Sequence, residues 1–257
     1  MDKYDIVYSV IAHENPDNLN KMIQNIAKYN KNNNFLICLH LNKLLYSNFK
    51  SKYKFVIINP NNYDKKKGTH DIMKAHIENF MFVNDNCKII FNSFMPLSSY
   101  CLFIKQMKKI NPNNDLLLGN HKTYCEEKKT TWHWPNFFQN NKIIELLNKK
   151  KISLVGQQTS GTLYSYDTFS KITKFVTKHD IFFLIAQKTY FDEILFPSLE
   201  KHIIGFVSER CCKIFWQGEK VDSAISTIRE LLAGKNNCYC VKSKNTEIIK
   251  FIDNLNE

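Results

Sequence analysis

The sequence predicts an α/β fold built on a doubly wound, mostly parallel sheet, and three observations predict it. Residues 5–10 (DIVYSV) are apolar and β-branched, as a strand covered on both faces should be. They run through a polar turn at 11–16 into residues 17–29, where Leu19, Met22, Ile23, Ile26 and Ala27 recur at helical spacing. Apolar residues make up 44% of the 257-residue chain, enough to offset chain entropy and exclude disorder.

The remaining elements follow in order. Residues 30–34 form a polar turn, 35–41 (FLICLHL) a second strand, 55–58 (FVII) a third and 59–68 a loop. Residues 70–82 read as a helix directing Ile72, Met73, Ala75, His76 and Phe80 inward, and 87–91 (CKIIF) as a fourth strand. Together these make β-α-β-β-α-β, a nucleotide-binding half of a doubly wound sheet. The middle is less regular. A helix is expected at 100–110, short strands at 115–118, 123–126, 153–155 and 161–165, and helices at 143–149 and 167–176, the latter with Asp167 as a possible N-cap. Trp132, His133, Trp134 and Pro135 form an aromatic loop. The C-terminal part predicts helices at 191–199, 223–232 and 246–255 and a strand at 238–241. With no internal repeat and no Pro/Ser linker, the chain reads as a single domain.

The formal net charge is +12. The lysines serve either as solubilising surface or to attract an anionic partner such as nucleotide phosphate, nucleic acid or a membrane face. No signal peptide and no bilayer-length apolar run is expected; the longest, residues 181–186, is strand-sized. Eight cysteines without a C-x-x-C motif disfavour zinc and read as reduced, mostly buried thiols of a cytoplasmic protein.

Five segments, in order, carry a resemblance: residues 8–19 (YSVIAHENPDNL), 37–43 (ICLHLNK), 67–80, 190–199 (YFDEILFPSL) and 239–253 (YCVKSKNTEIIKFID). Their order and spacing resemble the core-2/I-branching N-acetylglucosaminyltransferase and peptide O-xylosyltransferase family with its bacterial and viral relatives. The sequence departs from that pattern at Asn42, where the family has Asp, and at Val241, where it has a basic residue. Residues 91–99 keep only a loose likeness, and the membrane anchor of the animal members has no counterpart here. The resemblance implies a single GT-A-type domain over residues 1–257. A Rossmann-like nucleotide-sugar half would occupy 1–110, and a mixed-sheet half for acceptor and catalysis 111–257. It implies inverting transfer from a nucleoside-diphosphate sugar, UDP-linked, to a glycan, lipid-linked or peptide-linked hydroxyl.

Such a transfer needs a base for the acceptor hydroxyl, stabilisation of the departing diphosphate and exclusion of water. Glu193, in the Asp-Glu pair matching the family's acid segment, is the expected base, and Asp192 could cap the following helix. Read without the family, both are helix-start acids favoured by the dipole. The chain has no Asp-x-Asp metal motif; residues 84–86 (NDN) lie at the wrong end of a strand. A metal-free mechanism is expected, in which the resemblance assigns the diphosphate to Arg210 and Lys242, with Lys244 and Lys213 as alternates. Donor contacts are expected from His13, Asn15 and Asn42 at strand ends and from Thr69 and His70 at a helix start. Asn15 also suits a turn before Pro16, and His40 a satisfied core position. Trp132, Trp134 and Tyr164 are the aromatic candidates for stacking on the acceptor sugar, with burial in the core the competing use of such rings. Peripheral membrane contact is compatible with the charge. A basic nucleic-acid binder without catalysis is the alternative. It fits poorly, because the basic residues are dispersed and the strands apolar on both faces. No nucleophile-elbow or P-loop motif occurs.

Overall fold

The computed structural model describes residues 3–12, 16–42, 49–61, 71–110, 134–185 and 190–255. The expected short strands at 115–118 and 123–126 lie outside them. The protein is mixed α/β. One sheet has the order β3-β2-β1-β4-β6, from Val56–Ile58, Phe35–Leu41, Lys3–Ala12, Ile90–Ser98 and Tyr164–Ser165. The first four strands are parallel and β6 is antiparallel to β4. A second sheet has the order β5-β8-β7, from Cys101–Phe103, Cys240–Lys242 and Cys212–Ile214. Both sheets draw strands from both sides of residue 110.

The chain leaves β1 toward β2 on one side and returns to β4 on the other. The strand order therefore reverses between β1 and β4, and the crevice beyond their C-terminal ends is where a doubly wound sheet takes ligands. Alternation along β1 sends Ile6, Tyr8, Val10 and Ala12 into one core and Val7 into the other. The first core is closed by α1 (Pro16–Tyr29), the small sheet, α7 (Val221–Ala233) and α8 (Thr246–Asn254). The second is closed by α2 (Asp71–Met81), α3 (Asn141–Lys149), α4 (Tyr166–Lys178), α5 (Ile181–Leu184) and α6 (Asp192–Ile204). Among the described residues no helix is long and apolar enough to cross a membrane.

Four expectations change. The fourth strand begins at Ile90, after a π-helical turn at Phe82–Asn86, and runs to Ser98 through Asn92 and Pro96. Pro96 is tolerated because the N and O of a strand residue face the same side. Its carbonyl accepts from Gly161 N at 2.8 Å, beyond the stretch paired with β6, so the missing N–H costs no bond to β1. The helix expected at 100–110 is instead β5 followed by extended chain. Its apolar spacing fits a helix, but side-chain amides satisfy the backbone in extended form. Asn25 bonds both Phe103 N (2.6 Å) and Phe103 O (2.9 Å), and Asn33 bonds Ile110 N (2.8 Å) and Lys108 O (2.9 Å). Residues 153–155 form no strand, because the Ser198 hydroxyl takes both polar groups of the Val155 backbone. Residues 181–184 form the short helix α5. The cap of α4 is Ser165, whose Oγ accepts from Thr168 N at 3.1 Å; Asp167 is exposed and pairs with Lys171 at 2.6 Å. The seven described cysteines are free, five of them buried.

Candidate active site

The crevice edge is assembled by short backbone links. Asn42 N donates to Ala12 O (2.8 Å) and Ser99 N to Ile11 O (3.3 Å), which fixes the ends of β2, β1 and β4 side by side. Gly161 donates to Pro96 O (2.8 Å) and accepts from Cys211 N (2.8 Å), so residues 159–162 stitch the large sheet to β7. On β8, Lys242 lies opposite Cys101, and its Nζ reaches Ser160 Oγ at 3.4 Å. The Lys242 charge also acts on the carboxyl of Asp192 at the start of α6.

Helix α6 is apolar around most of its surface, so the acids it carries go inside. Asp192 and Glu193 are each 5% exposed. Burial pushes the Asp192 carboxyl above its ordinary range, opposed by the Thr159 hydroxyl, the first amides of α6 and Lys242. Among the described residues, neither Asp192 Oδ1 nor Thr159 Oγ1 has a hydrogen-bond partner of ordinary geometry. A buried carboxylate oxygen left in this state suits a ligand hydroxyl. The N-cap position of α6 is taken by Phe191, and the Asp192 carboxyl, one residue on, is acted on by the backbone amides of Asp192 and Glu193 in the first turn. The Glu193 carbonyl accepts from Gln157 N at 2.7 Å.

Beneath the site runs a network that the sequence reading missed. Gln157 Nε2 donates to Thr162 Oγ1 (3.2 Å) and Ser208 O (3.0 Å). Ser208 in turn donates from N (3.1 Å) and Oγ (2.5 Å) to Glu200 on α6. Burial raises the Glu200 carboxyl to about 7 against these two bonds. A carboxyl that holds its proton more tightly folded than unfolded favours folding fully below its unfolded value. That contribution is lost as pH rises through about 7, by about 3 kcal/mol at most. Wild-type stability in urea is therefore expected to fall between pH 5 and pH 8 more steeply than that of Glu200→Gln. Parallel pH profiles for the two would remove Glu200 as the cause.

The other expected residues separate. Arg210 pairs through its backbone with Thr162, and its charge acts on Cys238. By strand register its backbone stands four residues from that of Lys242, roughly 13 Å at the usual rise. Lys244 Nζ lies 4.7 Å from the Tyr100 ring centre, beside the crevice. Lys213 is exposed on β7. Asn42 is half-buried at the end of β2. Tyr164 is corrected. It is 1% exposed and packed against Phe169 (5.2 Å between ring centres) and Phe196 (6.3 Å), so its ring has no face for a sugar. Alternation in a strand does not say which face is inward. His13, Asn15, Thr69, His70 and Trp132 lie outside the described residues, as does the side chain of Trp134.

An exposed ring of another kind is present. Trp216 is 45% exposed and directly follows Phe215, whose N–H bonds to Lys242 O at 2.9 Å. The sequence predicts no strand at residues 212–214, and the nearness of Trp216 to the Lys242 strand follows only from the fold. Among the described residues, no three His, Cys, Asp or Glu side chains group to hold a metal ion. No family model matches the chain, and no curated protein matches it.

Proposed function

We propose that the chain is an inverting glycosyltransferase of GT-A type. It would move a sugar from a nucleoside diphosphate, UDP-linked, to a hydroxyl of a glycan, lipid-linked or peptide-linked acceptor. The observation that carries this reading is that the Lys242 charge acts on the buried carboxyl of Asp192, the neighbour of the equally buried Glu193 at the start of α6. The resemblance of the acid and tail segments to a glycosyltransferase family supports it from the sequence.

In this reading the acceptor oxygen attacks the anomeric carbon and gives its proton to the Glu193 carboxylate. The bond from that carbon to the diphosphate breaks on the opposite side, which inverts the configuration. Lys242 offsets the charge gathering on the diphosphate, a task for which a fixed cation suffices when no Asp-x-Asp motif is present. Lys244 and Arg210 are secondary cations. Asp192 Oδ1 accepts from a hydroxyl of the sugar, and Trp216 offers an apolar ring face to a sugar ring. Asn42, with His13, Asn15 and Thr69, serves the nucleotide.

Thermal denaturation with UDP and a panel of nucleotide sugars tests the reading, since a ligand of the folded state raises its midpoint. Wild type is expected to shift with UDP. Lys242→Ala is expected to weaken UDP binding about tenfold, the loss of one charge-assisted contact. No shift with any nucleoside diphosphate would sink the proposal. Transfer should persist in chelator; loss restored by Mn²⁺ would overturn its metal-independent part.

A further inference from the structure

We propose that the surface formed by the last turns of α3 and α4 together with α5 docks onto an anionic lipid bilayer. Phe183 on α5 is 88% exposed, while the other exposed large apolar side chains of the described residues lie between 36% and 50%. The helix that carries it is anchored. Ile181 is fully buried, Phe182 and Leu184 pack on the second core, and α5 rests against both α3 and α4. The ring is therefore held outward by a fixed scaffold.

The two helices that α5 rests against carry exposed cations at their C-terminal ends. Lys149, Lys150 and Lys151 end α3, and Lys174 and Lys178 lie on the last turns of α4, all exposed. Burial and then the Lys150 and Lys178 charges lower the pKa of His179, which brings the two helix ends together around one ring. That ring lies 4.7 Å from Phe175. Against five lysines stand the exposed Glu145 and Asp180. Two turn residues here, Lys151 (φ 55°) and Asp180 (φ 45°), hold the left-handed conformation that non-glycine residues adopt at a cost.

A lone apolar ring amid lysine point charges matches the boundary of a bilayer, where the ring enters the acyl region and the ammonium groups meet acidic headgroups. Nucleic-acid platforms combine stacked rings with forked donors that read base edges, and the two arginines of the described residues outside this surface, Arg210 and Arg229, are elsewhere in the fold. The inference is independent of the proposed sugar transfer.

Co-sedimentation of the full chain with vesicles tests it, using phosphatidylcholine alone or mixed with phosphatidylserine. At about 0.1 M salt, wild type should pellet with the acidic vesicles and not with phosphatidylcholine alone, and raised salt should release it. Phe183→Ser should weaken binding about tenfold. Replacing Lys149, Lys150 and Lys151 by Gln should weaken it roughly a hundredfold, at about fivefold per lysine. These side chains are exposed, so circular dichroism should be unchanged. Lys250→Gln on α8, in the opposite layer, should bind as wild type. Equal pelleting with both vesicle types, or undiminished binding by Phe183→Ser, would overturn the proposal. So would capture of single-stranded oligonucleotide through the same lysines without vesicle binding.

Discussion

Glu193→Gln is expected to lower the rate of sugar transfer by about a thousandfold while leaving the affinity for UDP within about twofold. The amide has the size of the carboxylate and keeps Glu193's place in the first turn of α6, so the change removes proton acceptance and little else. The backbone of that residue is fixed independently of its side chain, through the Gln157 N–H on its carbonyl. The adjacent acid separates the roles. Asp192→Asn should raise KM for the nucleotide sugar with a smaller loss in kcat, since an amide oxygen still accepts a sugar hydroxyl but carries no charge toward Lys242. Single-turnover assays alongside UDP titrations distinguish the cases. Near-normal turnover by Glu193→Gln removes it as base. If Asp192→Asn instead loses the thousandfold, the base is Asp192, and the buried oxygen without a partner is the one that takes the proton.

The N-terminal elements were legible because their burial follows simple periods. Residues 5–10, 17–29, 35–41 and 70–82 lie within a few positions of β1, α1, β2 and α2. Where the reading failed, long-range polar partners decided the local structure. Asn25 and Asn33 hold residues 101–110 extended although their spacing is helical, and Ser198 does the same for Val155. A buried polar net, in which Ser9 meets His76 at 2.8 Å and Asn79 at 2.9 Å, ties β1 to α2 at positions that a hydrophobic pattern treats as gaps. The candidate site divides in the same way. Lys242 and the Asp192–Glu193 pair came from ordered motifs. Gln157, Ser208 and Glu200 did not, because they act through contacts up to fifty-one residues apart along the chain. One signal was present: residues 194–199 are apolar apart from Ser198, which marks a buried helix whose acids need buried partners.

Gly161→Ala should destabilise the fold by about 3 kcal/mol, and the argument rests on two separable contributions. Gly161 has φ +83°, where an alanine costs about 1 kcal/mol. A Cβ built there would also lie 2.3 Å from Cys212 Cβ and 3.0 Å from Cys212 N, atoms of a buried strand that has no flexible end to move. Relief requires the loop to lift from β7, which loosens the bonds to Pro96 O and from Cys211 N, each worth about 1 kcal/mol. Gly205, at the C-cap of α6, has nearly the same φ, +85°, and a methyl group added there would meet nothing within 4 Å. Gly205→Ala therefore measures the backbone contribution alone, about 1 kcal/mol. In a chain of this length each kcal/mol moves the melting midpoint by about 3 °C, so midpoint drops of about 9 °C for Gly161→Ala and about 3 °C for Gly205→Ala are expected. Because Ser160 meets Lys242 through the same loop, Gly161→Ala should also weaken UDP binding, whereas Gly205→Ala should not. Equal losses for the two variants would mean that the loop does not press on β7, and the joint that brings Lys242 to Asp192 would then need another support.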